Sequence, residues 1–210
     1  MTTIGLIGAG NVGTTLARHL IRLGYEVAVS NSRGPHTLKD LQHELGEHAH
    51  ALSVADTAEY GDIGVVSVPL AAYRDVPRAG LEGKVVIDTC NYYPQRDGHF
   101  PEIDDDSTTS SELIAAHLPT SHVVKAFNAI NFAHLAEWAR PAGDPGRIAI
   151  PIAGNNAAAK LTVAALIAQM GFDAVDTGDL GSSRSFQPGA VLYGADTTAD
   201  KLRATLGLTG

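Results

Sequence analysis

The chain has 210 residues, of which 44% are hydrophobic and 18% are charged, and its formal net charge is −8. This composition excludes a globally disordered chain, because enough apolar surface is available to build a core. The acidic balance, without any cluster of Lys and Arg, argues against a nucleic-acid-binding protein and favours a small molecule as the partner.

The N-terminus and the cysteine content indicate a cytoplasmic protein. The first residues lack the basic start and the cleavage site of a signal peptide, and no apolar run approaches the ~20 residues that span a bilayer. We therefore expect no membrane association. Cys90 is the one cysteine, so no internal disulfide can form, and the histidines show no spacing typical of metal ligands. No metal site is expected.

Short β-branched segments alternate along the chain with longer helical patterns, which is typical of parallel βαβ units. We predict an α/β fold, namely a Rossmann-type doubly wound, mostly parallel sheet with a small C-terminal α/β extension. The whole chain, 1–210, is predicted to be a single domain. Its core covers about 1–138, and a C-terminal extension covers about 148–210.

The predicted elements follow one another closely. Strands are predicted at 4–7, 26–30, around 51–52, 63–68, 84–88, 122–126, 148–153 and 174–176. Helices are predicted over 12–23, about 37–45 and about 157–170, and Thr109 and Glu112 have the spacing of a capping box that starts another helix. Loops are predicted at about 91–106 and 139–147.

The first strand is followed by Gly8-Ala9-Gly10-Asn11-Val12-Gly13, which matches Gly-x-Gly-x-x-Gly. The motif alone is weak, but here it follows a strand and opens an apolar-striped helix, which is the context it requires. Gly8 permits a tight turn, Gly10 lets a pyrophosphate approach the backbone, and Gly13 lets the helix pack closely on the strand. The free N–H groups of the helix N-terminus then face the phosphates. The loop predicts dinucleotide binding.

The end of the second strand distinguishes NADP from NAD. NAD enzymes usually carry a carboxylate there for the ribose 2′-OH, but this chain has Asn31, Ser32 and Arg33. Asn31 and Ser32 can donate to a phosphate, and Arg33 offers a permanently charged planar fork. The alternative is that Arg33 is a solvated turn residue beside Gly34. The absence of a carboxylate favours NADP(H).

Three later strands should end at the same rim of the sheet, where ligands bind. Pro69 follows the fourth strand and would turn the chain under the cofactor, or it merely ends the strand. Asn91 and Asn128 would bond the nicotinamide carboxamide or a substrate, or they close turns. Lys125 would face an anion, or it pairs with a carboxylate at the surface. Cys90 is expected to be a small buried residue.

Two further features lie in the C-terminal half of the chain. The segment 177–184 is predicted to be a flexible loop that forms a wall of a second-substrate pocket, with Arg184 attracting an anionic group, or else a solvated loop. His134 and Trp138 share a helical face and are expected to be packing residues.

Taken together, the segments resemble the NADP-dependent oxidoreductases that act with the deazaflavin coenzyme F420, and they are similar to the cytosolic domain of the STEAP metalloreductases. The resemblance covers nearly the whole chain. It rests on 8–13, 31–33, Val68 and Pro69, 107–112, 123–128 and 178–184. It implies hydride transfer between NADP(H) and a flavin-like ring, in which the protein orients the reactants and excludes water.

The predicted site follows from these motifs. The predicted cofactor-binding residues are Gly8, Gly10, Asn11, Val12, Gly13, Asn31, Ser32, Arg33, Val68, Pro69, Asn91 and Ala126. The catalytic candidates are Asn91, Lys125 and Asn128. The cofactor is predicted to be NADP(H), with coenzyme F420 or a flavin as the second substrate.

Two other functions fit the same sequence. One is an NADPH-dependent reductase of a small carbonyl or imine, in which Lys125 or a tyrosine supplies a proton. The other is a non-catalytic NADPH-binding redox sensor. A homodimer is expected, because the predicted pocket is otherwise shallow.

Overall fold

The computed structural model of the chain describes residues 2–208. The strands are β1 (Thr3–Ile7), β2 (Glu26–Ser30), β3 (Ala49–Ala51), β4 (Ile63–Val66), β5 (Val85–Asp88), β6 (His122–Lys125), β7 (Ala149–Gly154) and β8 (Asp173–Asp176). In the described chain they form an eight-stranded sheet in the order β3-β2-β1-β4-β5-β6-β7-β8. All neighbours are parallel except β6 and β7, which are antiparallel. The predicted doubly wound α/β fold is confirmed.

Helices connect the strands. They are α1 (Asn11–Arg22), α2 (Lys39–Leu45), α3 (Val54–Tyr60), α4 (Pro94–Asp97), α5 (Pro101–Asp104), α6 (Ser110–His117), α7 (Phe132–Glu137), α8 (Ala157–Gln169) and α9 (Ala199–Leu206). Segments of 3₁₀ helix cover Pro35–Leu38, Leu70–Asp75 and Leu180–Phe186. Within residues 2–208 no helix combines the length and the apolar character needed to cross a bilayer.

The core lies on both faces of the sheet, because successive side chains of a strand point to opposite sides. Leu6 packs in a cluster with Leu16 and Leu20 of α1, whereas Ile7 packs in a cluster with Ala58 of α3. The central strands are buried on both faces, as expected for a parallel sheet covered by helices. The layering places the C-terminal ends of β1, β2, β4 and β5 along one rim.

After β6 the chain reverses direction, and β7, α8 and β8 form a further βαβ unit at the edge of the sheet. A separate apolar cluster fills this end, with Phe186 and Leu202 among its buried members. This unit corresponds to the predicted C-terminal extension. The proposed division at about 138 and 148 stays a prediction, and the outer limits 1 and 210 lie outside the described residues.

Local structure departs from expectation in two loops. The predicted loop 91–106 contains the helical turns α4 and α5, each starting at a proline, which is suited to the first turn of a helix. The predicted flexible loop 177–184 is largely the 3₁₀ helix Leu180–Phe186, which Asp179 caps by accepting from the Ser182 amide at 3.1 Å. The capping box of Thr109 and Glu112 is confirmed at the start of α6.

Candidate functional site

Two adjoining cavities form a cleft at the C-terminal rim of the sheet, and Gly10, Ser67, Val68 and Pro69 line both of them. We call the first the Arg33 cavity. It encloses about 300 Å³ and is also lined by Ile7, Gly8, Ala9, Asn31, Ser32, Arg33, Val54, Ala72, Asp75 and Val76. The second, the Asn91 cavity, encloses about 440 Å³. It is also lined by Asn11, Val12, Thr89, Cys90, Asn91, Tyr93, Arg96, Asn128, Ile130, Asn131, Phe132 and Tyr193.

The cleft lies where the strand order reverses. From β1 the chain runs outward to β2 and β3 and then crosses back to β4 on the other side of β1. The connections after β1 and β4 therefore diverge, and a crevice opens between them. The segment 8–10 follows β1 and the segment 67–69 follows β4, and both line the crevice. This is the position at which a doubly wound sheet binds a nucleotide.

The three motif glycines have different surroundings. Gly8 has a φ of +111°, and a Cβ there would lie 2.1 Å from the Ser67 carbonyl oxygen. A Cβ on Gly13 would lie 2.1 Å from the Gly8 carbonyl oxygen, so α1 packs against the loop at a distance that only glycine permits. A Cβ on Gly10 would meet nothing within 4 Å. Packing therefore requires Gly8 and Gly13, whereas Gly10 leaves open space in the cleft.

The N-terminus of α1 is suited to an anion. Its N-cap residue is Gly10, which has no side chain to cap the helix, and the first turn contains no acidic residue. The first helical hydrogen bond to Gly10 comes from the Thr14 amide at 2.8 Å. The amides of residues 11–13 precede it and belong to the turn whose N–H groups have no intrahelical acceptor. The residues present fit the pyrophosphate of a dinucleotide.

The loop after β2 places Arg33 in the lining of the same cavity. The Asn31 side chain shapes this loop: it accepts from the Arg33 amide at 3.0 Å and donates to the Thr37 hydroxyl at 2.9 Å. Asn31 therefore mainly holds the turn. Ser32 and Arg33 are exposed, and in the described part of the chain the Arg33 guanidinium has no hydrogen-bond or ion-pair partner. The positive charge of Arg33 is therefore free to bind a phosphate.

The wall opposite the glycine loop was not predicted from the sequence. Val54, Ala72 and Val76 add apolar surface to the Arg33 cavity, and the exposed Asp75 lies beside them. Such a mixed wall suits the flat face of an adenine ring. The sequence gives no local signal for these residues, because they come from α3 and from the 3₁₀ segment after β4 and are brought together only by the sheet.

In the Asn91 cavity, Asn91 and Asn128 bond each other across two loops. The Asn91 amide donates to the Asn128 carbonyl oxygen at 2.9 Å, and Asn128 Nδ2 donates to Asn91 Oδ1 at 3.2 Å and to the Phe186 carbonyl at 2.9 Å. Neither side chain merely closes its own turn. The pair holds the loops after β5 and β6 together beneath the cavity.

Backbone strain accompanies this contact. Phe127 precedes Asn128, is 1% exposed and has a φ of +61°, which is unfavourable for a bulky side chain. A residue held in this region costs about 1–3 kcal/mol and persists only where the surroundings fix it, most often near a functional site. Here the strained residue positions Asn128 at the floor of the cleft.

The expectation that Lys125 pairs at the surface is wrong. Its side chain is 1% exposed, and Nζ lies 3.0 Å from the carboxylate of Asp88, which is fully buried. Nζ also donates to the Cys90 carbonyl, and Asp88 accepts from the Ser111 hydroxyl at 2.7 Å. Lys125 lines neither cavity. It is therefore not placed to contact a substrate, and its contacts fix the chain after β5.

Ala126 and Cys90 are also buried. Ala126 is 0% exposed and lines neither cavity, so the structure places it in the core and not among the cofactor contacts. Cys90 is 2% exposed, as expected for a small buried residue, and burial raises the pKa of its thiol. A thiol that stays protonated is a poor nucleophile.

Tyr93, Arg96 and Tyr193 line the Asn91 cavity and were not among the predicted site residues. The Tyr93 and Tyr193 hydroxyls are in hydrogen-bond contact although 100 residues separate them. Arg96 lies over the Tyr93 ring, 4.9 Å from its centroid, and donates to the Asn91 carbonyl at 2.7 Å. Its hydrogen bonds to Asp97 raise the pKa of its guanidinium. No local pattern signals these contacts, since they depend on chain-distant packing.

Two other expectations concern residues outside the cleft. Arg184 pairs with Asp106 at 2.9 Å and lines a separate depression with residues such as Thr177 and Leu206, so it is not a wall of the Asn91 cavity. His134 stacks on Trp138 with 3.6 Å between ring centroids, as expected for packing residues, although Trp138 is 39% exposed. Within residues 2–208 no three His, Cys, Asp or Glu side chains lie close enough to hold a metal ion.

Comparison with known proteins assigns the chain to a family. A family profile described as NADP oxidoreductase, coenzyme F420-dependent, matches residues 3–92, which contain the glycine loop, the Arg33 loop and the strands that form the cleft. The hypothetical protein SMa0349 from Sinorhizobium meliloti is 30% identical, with a TM-score of 0.82 over 95% of this chain and 97% of that chain. The chain belongs to this family.

Two further relatives bear on this family member. A protein from Arthrobacter sp. FB24, assigned as an F420-dependent NADP reductase, is 29% identical with a TM-score of 0.76 over 88% of each chain. The human metalloreductase STEAP2 is 29% identical over 189 residues, which are 88% of this chain and 35% of that protein. The chain thus spans about a third of the length of the curated relatives that it matches.

Proposed function

We propose that the protein is an NADP-dependent oxidoreductase that transfers a hydride between NADP(H) and coenzyme F420 or a flavin. The observation that carries the proposal is the continuous cleft, which has an anion-binding helix end in its middle and a second cavity of about 440 Å³ beyond it. The relative assigned as an F420-dependent NADP reductase supports a deazaflavin as the acceptor.

The residues of the cleft fit NADP(H) in separate parts. Ser32 and Arg33 would hold the 2′-phosphate, and the amides at the start of α1 would hold the pyrophosphate. Bound NADPH supplies a hydride from its nicotinamide ring. Val68 and Pro69 lie between the two cavities and would separate the adenosine end from the reacting end.

The Asn91 cavity suits a reaction that depends on orientation. Apolar side chains of Ile130 and Phe132 flank polar groups of Asn91, Tyr93 and Tyr193. The apolar walls would exclude water from the space where the two rings meet, while the polar groups fix their orientation. The hydride transfer itself, between two stacked rings, depends mainly on this orientation and exclusion of water.

Anaerobic NADPH oxidation tests the proposal. Purified protein is mixed with NADPH, and oxidation is followed as oxidised F420 or, in a parallel reaction, free flavin is added. Saturable turnover with either acceptor is expected, and NADPH that binds without being oxidised by either one would contradict the proposal. Turnover with flavin alone would identify a flavin reductase.

The tyrosines in the Asn91 cavity favour a second candidate, the reduction of a small carbonyl or imine. Such a substrate needs a proton as well as a hydride, and a tyrosine hydroxyl is a suitable donor. The buried position of Lys125 removes it from this role. A panel of aldehydes, ketones and cyclic imines tested with NADPH separates this candidate from the first. Cytoplasmic location and a homodimer remain proposals made from the sequence.

A further inference from the structure

Two tyrosines from distant parts of the chain meet on the wall of the Asn91 cavity. Tyr93 immediately precedes α4, and Tyr193 lies in the segment between the 3₁₀ helix Leu180–Phe186 and α9. Their hydroxyl oxygens are in hydrogen-bond contact, and the Tyr193 oxygen also accepts from Asn91 Nδ2 at 3.4 Å. Both side chains are half-buried. We call them the tyrosine couple.

One of the two hydroxyl groups of the couple has no hydrogen-bond acceptor among the described residues. Its two hydroxyls carry two protons, and the contact between them uses one. Asn91 cannot take the other, because its amide nitrogen is a donor. Among the described residues no further acceptor lies within hydrogen-bond distance of either hydroxyl. One O–H group is therefore available to a molecule bound in the cavity.

We propose that the tyrosine couple is the proton donor to the hydride acceptor. The acceptor is then a conjugated carbonyl or ring-nitrogen compound, in which the atom that receives the hydride is linked through π-bonds to an oxygen or nitrogen. The pyrimidine edge of a flavin or deazaflavin has this chemistry. The inference rests on the proposed function and adds the proton donor to it.

The step balances in atoms and electrons. As the nicotinamide C–H bond breaks, the acceptor forms a new bond to the hydride, so that NADPH is oxidised to NADP⁺ and the acceptor gains two electrons. The electron pair displaced within the acceptor reaches its oxygen or nitrogen. That atom takes the proton as a tyrosine O–H bond breaks, and water at the mouth of the cleft returns a proton to the tyrosinate.

The surroundings keep the couple protonated before reaction, and two contacts stabilise the tyrosinate that forms. Burial and the contact with Tyr93 raise the pKa of the Tyr193 hydroxyl, so the couple is protonated before reaction at neutral pH. Once a proton has left, the second hydroxyl can donate to the tyrosinate. The Arg96 guanidinium over the Tyr93 ring adds positive charge beside it.

The test removes both hydroxyls with little change of shape. In Tyr93→Phe/Tyr193→Phe, the rate of NADPH oxidation at saturating acceptor is expected to fall about 100-fold, the lower end of general acid catalysis. The dissociation constant for NADPH, measured by fluorescence, should stay within about twofold. Each single variant keeps one hydroxyl and should retain a larger part of the rate.

Tyr92→Phe is the matched control, because Tyr92 is adjacent in sequence but donates to Asp104 at 2.6 Å and does not line the cavity. Its rate should equal that of the unmodified protein. A solvent deuterium isotope effect on a single turnover gives an independent measurement. It should be present in the unmodified protein and in Tyr92→Phe, and altered in the double variant. If the double variant fails to bind NADPH, the two single variants are compared with Tyr92→Phe.

The outcomes separate this inference from the proposed function. Turnover with F420 or flavin that is equally fast in the double variant and in Tyr92→Phe overturns the inference alone. If only carbonyl or imine acceptors are reduced, and the reaction depends on the couple, the inference stands and the proposed function falls. An unmodified protein that oxidises NADPH with none of these acceptors contradicts both.

Discussion

Lys125 and Asp88 lie opposite each other on adjacent strands and form a buried ion pair, with 3.0 Å between Nζ and Oδ2. The side chains are 1% and 0% exposed, and Ser111 and Cys90 provide further hydrogen bonds. The pair lies directly beneath the loop that carries Asn91. A charge network in this position acts on the site by holding the backbone in place, without touching a ligand.

Removing the ammonium should destabilise the fold. Lys125→Met leaves the Asp88 carboxylate buried without its counter-ion, and we expect a loss of about 3–5 kcal/mol in the free energy of unfolding. Urea denaturation measures it. Arg18→Met is the control, since Arg18 pairs at 2.7 Å with Glu44 and the two side chains are 41% and 54% exposed, and it should lose no more than about 1 kcal/mol. Equal losses in the two variants would show that the buried pair contributes little.

Alanine should have different effects at two positions of the glycine loop, on stability at Gly13 and on NADPH affinity at Gly10. Gly13→Ala places a Cβ 2.1 Å from a backbone oxygen, so it should lower the melting temperature. Gly10→Ala meets no protein atom within 4 Å, so the protein should keep its melting temperature but lose affinity for NADPH. Thermal unfolding and NADPH titration of both variants make the comparison. Unchanged NADPH affinity in Gly10→Ala would mean that the pyrophosphate does not approach this backbone.

Arg33 should determine the preference for NADPH over NADH. Its loss removes a charge-assisted hydrogen bond of ~1.5–3 kcal/mol, so Arg33→Ala should weaken NADPH binding about tenfold to hundredfold and leave NADH binding unchanged. Fluorescence titration with each cofactor measures both affinities. Arg203→Ala, an exposed change on α9, should alter neither. Parallel losses for NADPH and NADH in Arg33→Ala would exclude a 2′-phosphate contact.

A cluster on the edge of the sheet should make stability depend on pH. The hydrogen bond between Glu26 and His48 raises the pKa of His48 above 6.5 and, with a second one from His50, lowers the pKa of Glu26 below 4.5. The contribution of His48 to the free energy of unfolding is complete below its unfolded pKa and is lost as the pH rises through its folded pKa. The contribution of Glu26 to the free energy of unfolding is complete above its unfolded pKa and is lost as the pH falls through its folded pKa.

Both contributions are therefore complete between about pH 4.5 and pH 6.5. Glu26→Gln should lower the melting temperature most in this window and less on either side, by a small amount because both side chains are partly exposed to solvent. Melting curves across pH test this, with the exposed Glu82→Gln as the control, which should show no such window. A constant difference between Glu26→Gln and the unmodified protein would refute the assignment.

The sequence by itself determined the parts of this protein that depend on local rules. The alternation of strands and helices predicted the doubly wound sheet, because each pattern reflects which face of an element is buried. The spacing of Gly8, Gly10 and Gly13 predicted the nucleotide loop, since a tight turn and a close helix contact each exclude a Cβ. Arg33 was predicted as the 2′-phosphate contact because the end of the second strand is a fixed position in this fold.

Tertiary structure alone decided the environment of each polar side chain at the rim. Lys125 ends β6, and the sequence of this strand does not say whether its side chain faces solvent or an internal carboxylate. Only the packing of α6 over β5 and β6 buries it with Asp88. Tyr193 reaches Tyr93 across 100 residues of sequence, and Asn128 bonds Asn91 across another loop. Such contacts depend on long-range packing, which no short pattern encodes, so the arrangement of the Asn91 cavity emerged only from the folded chain.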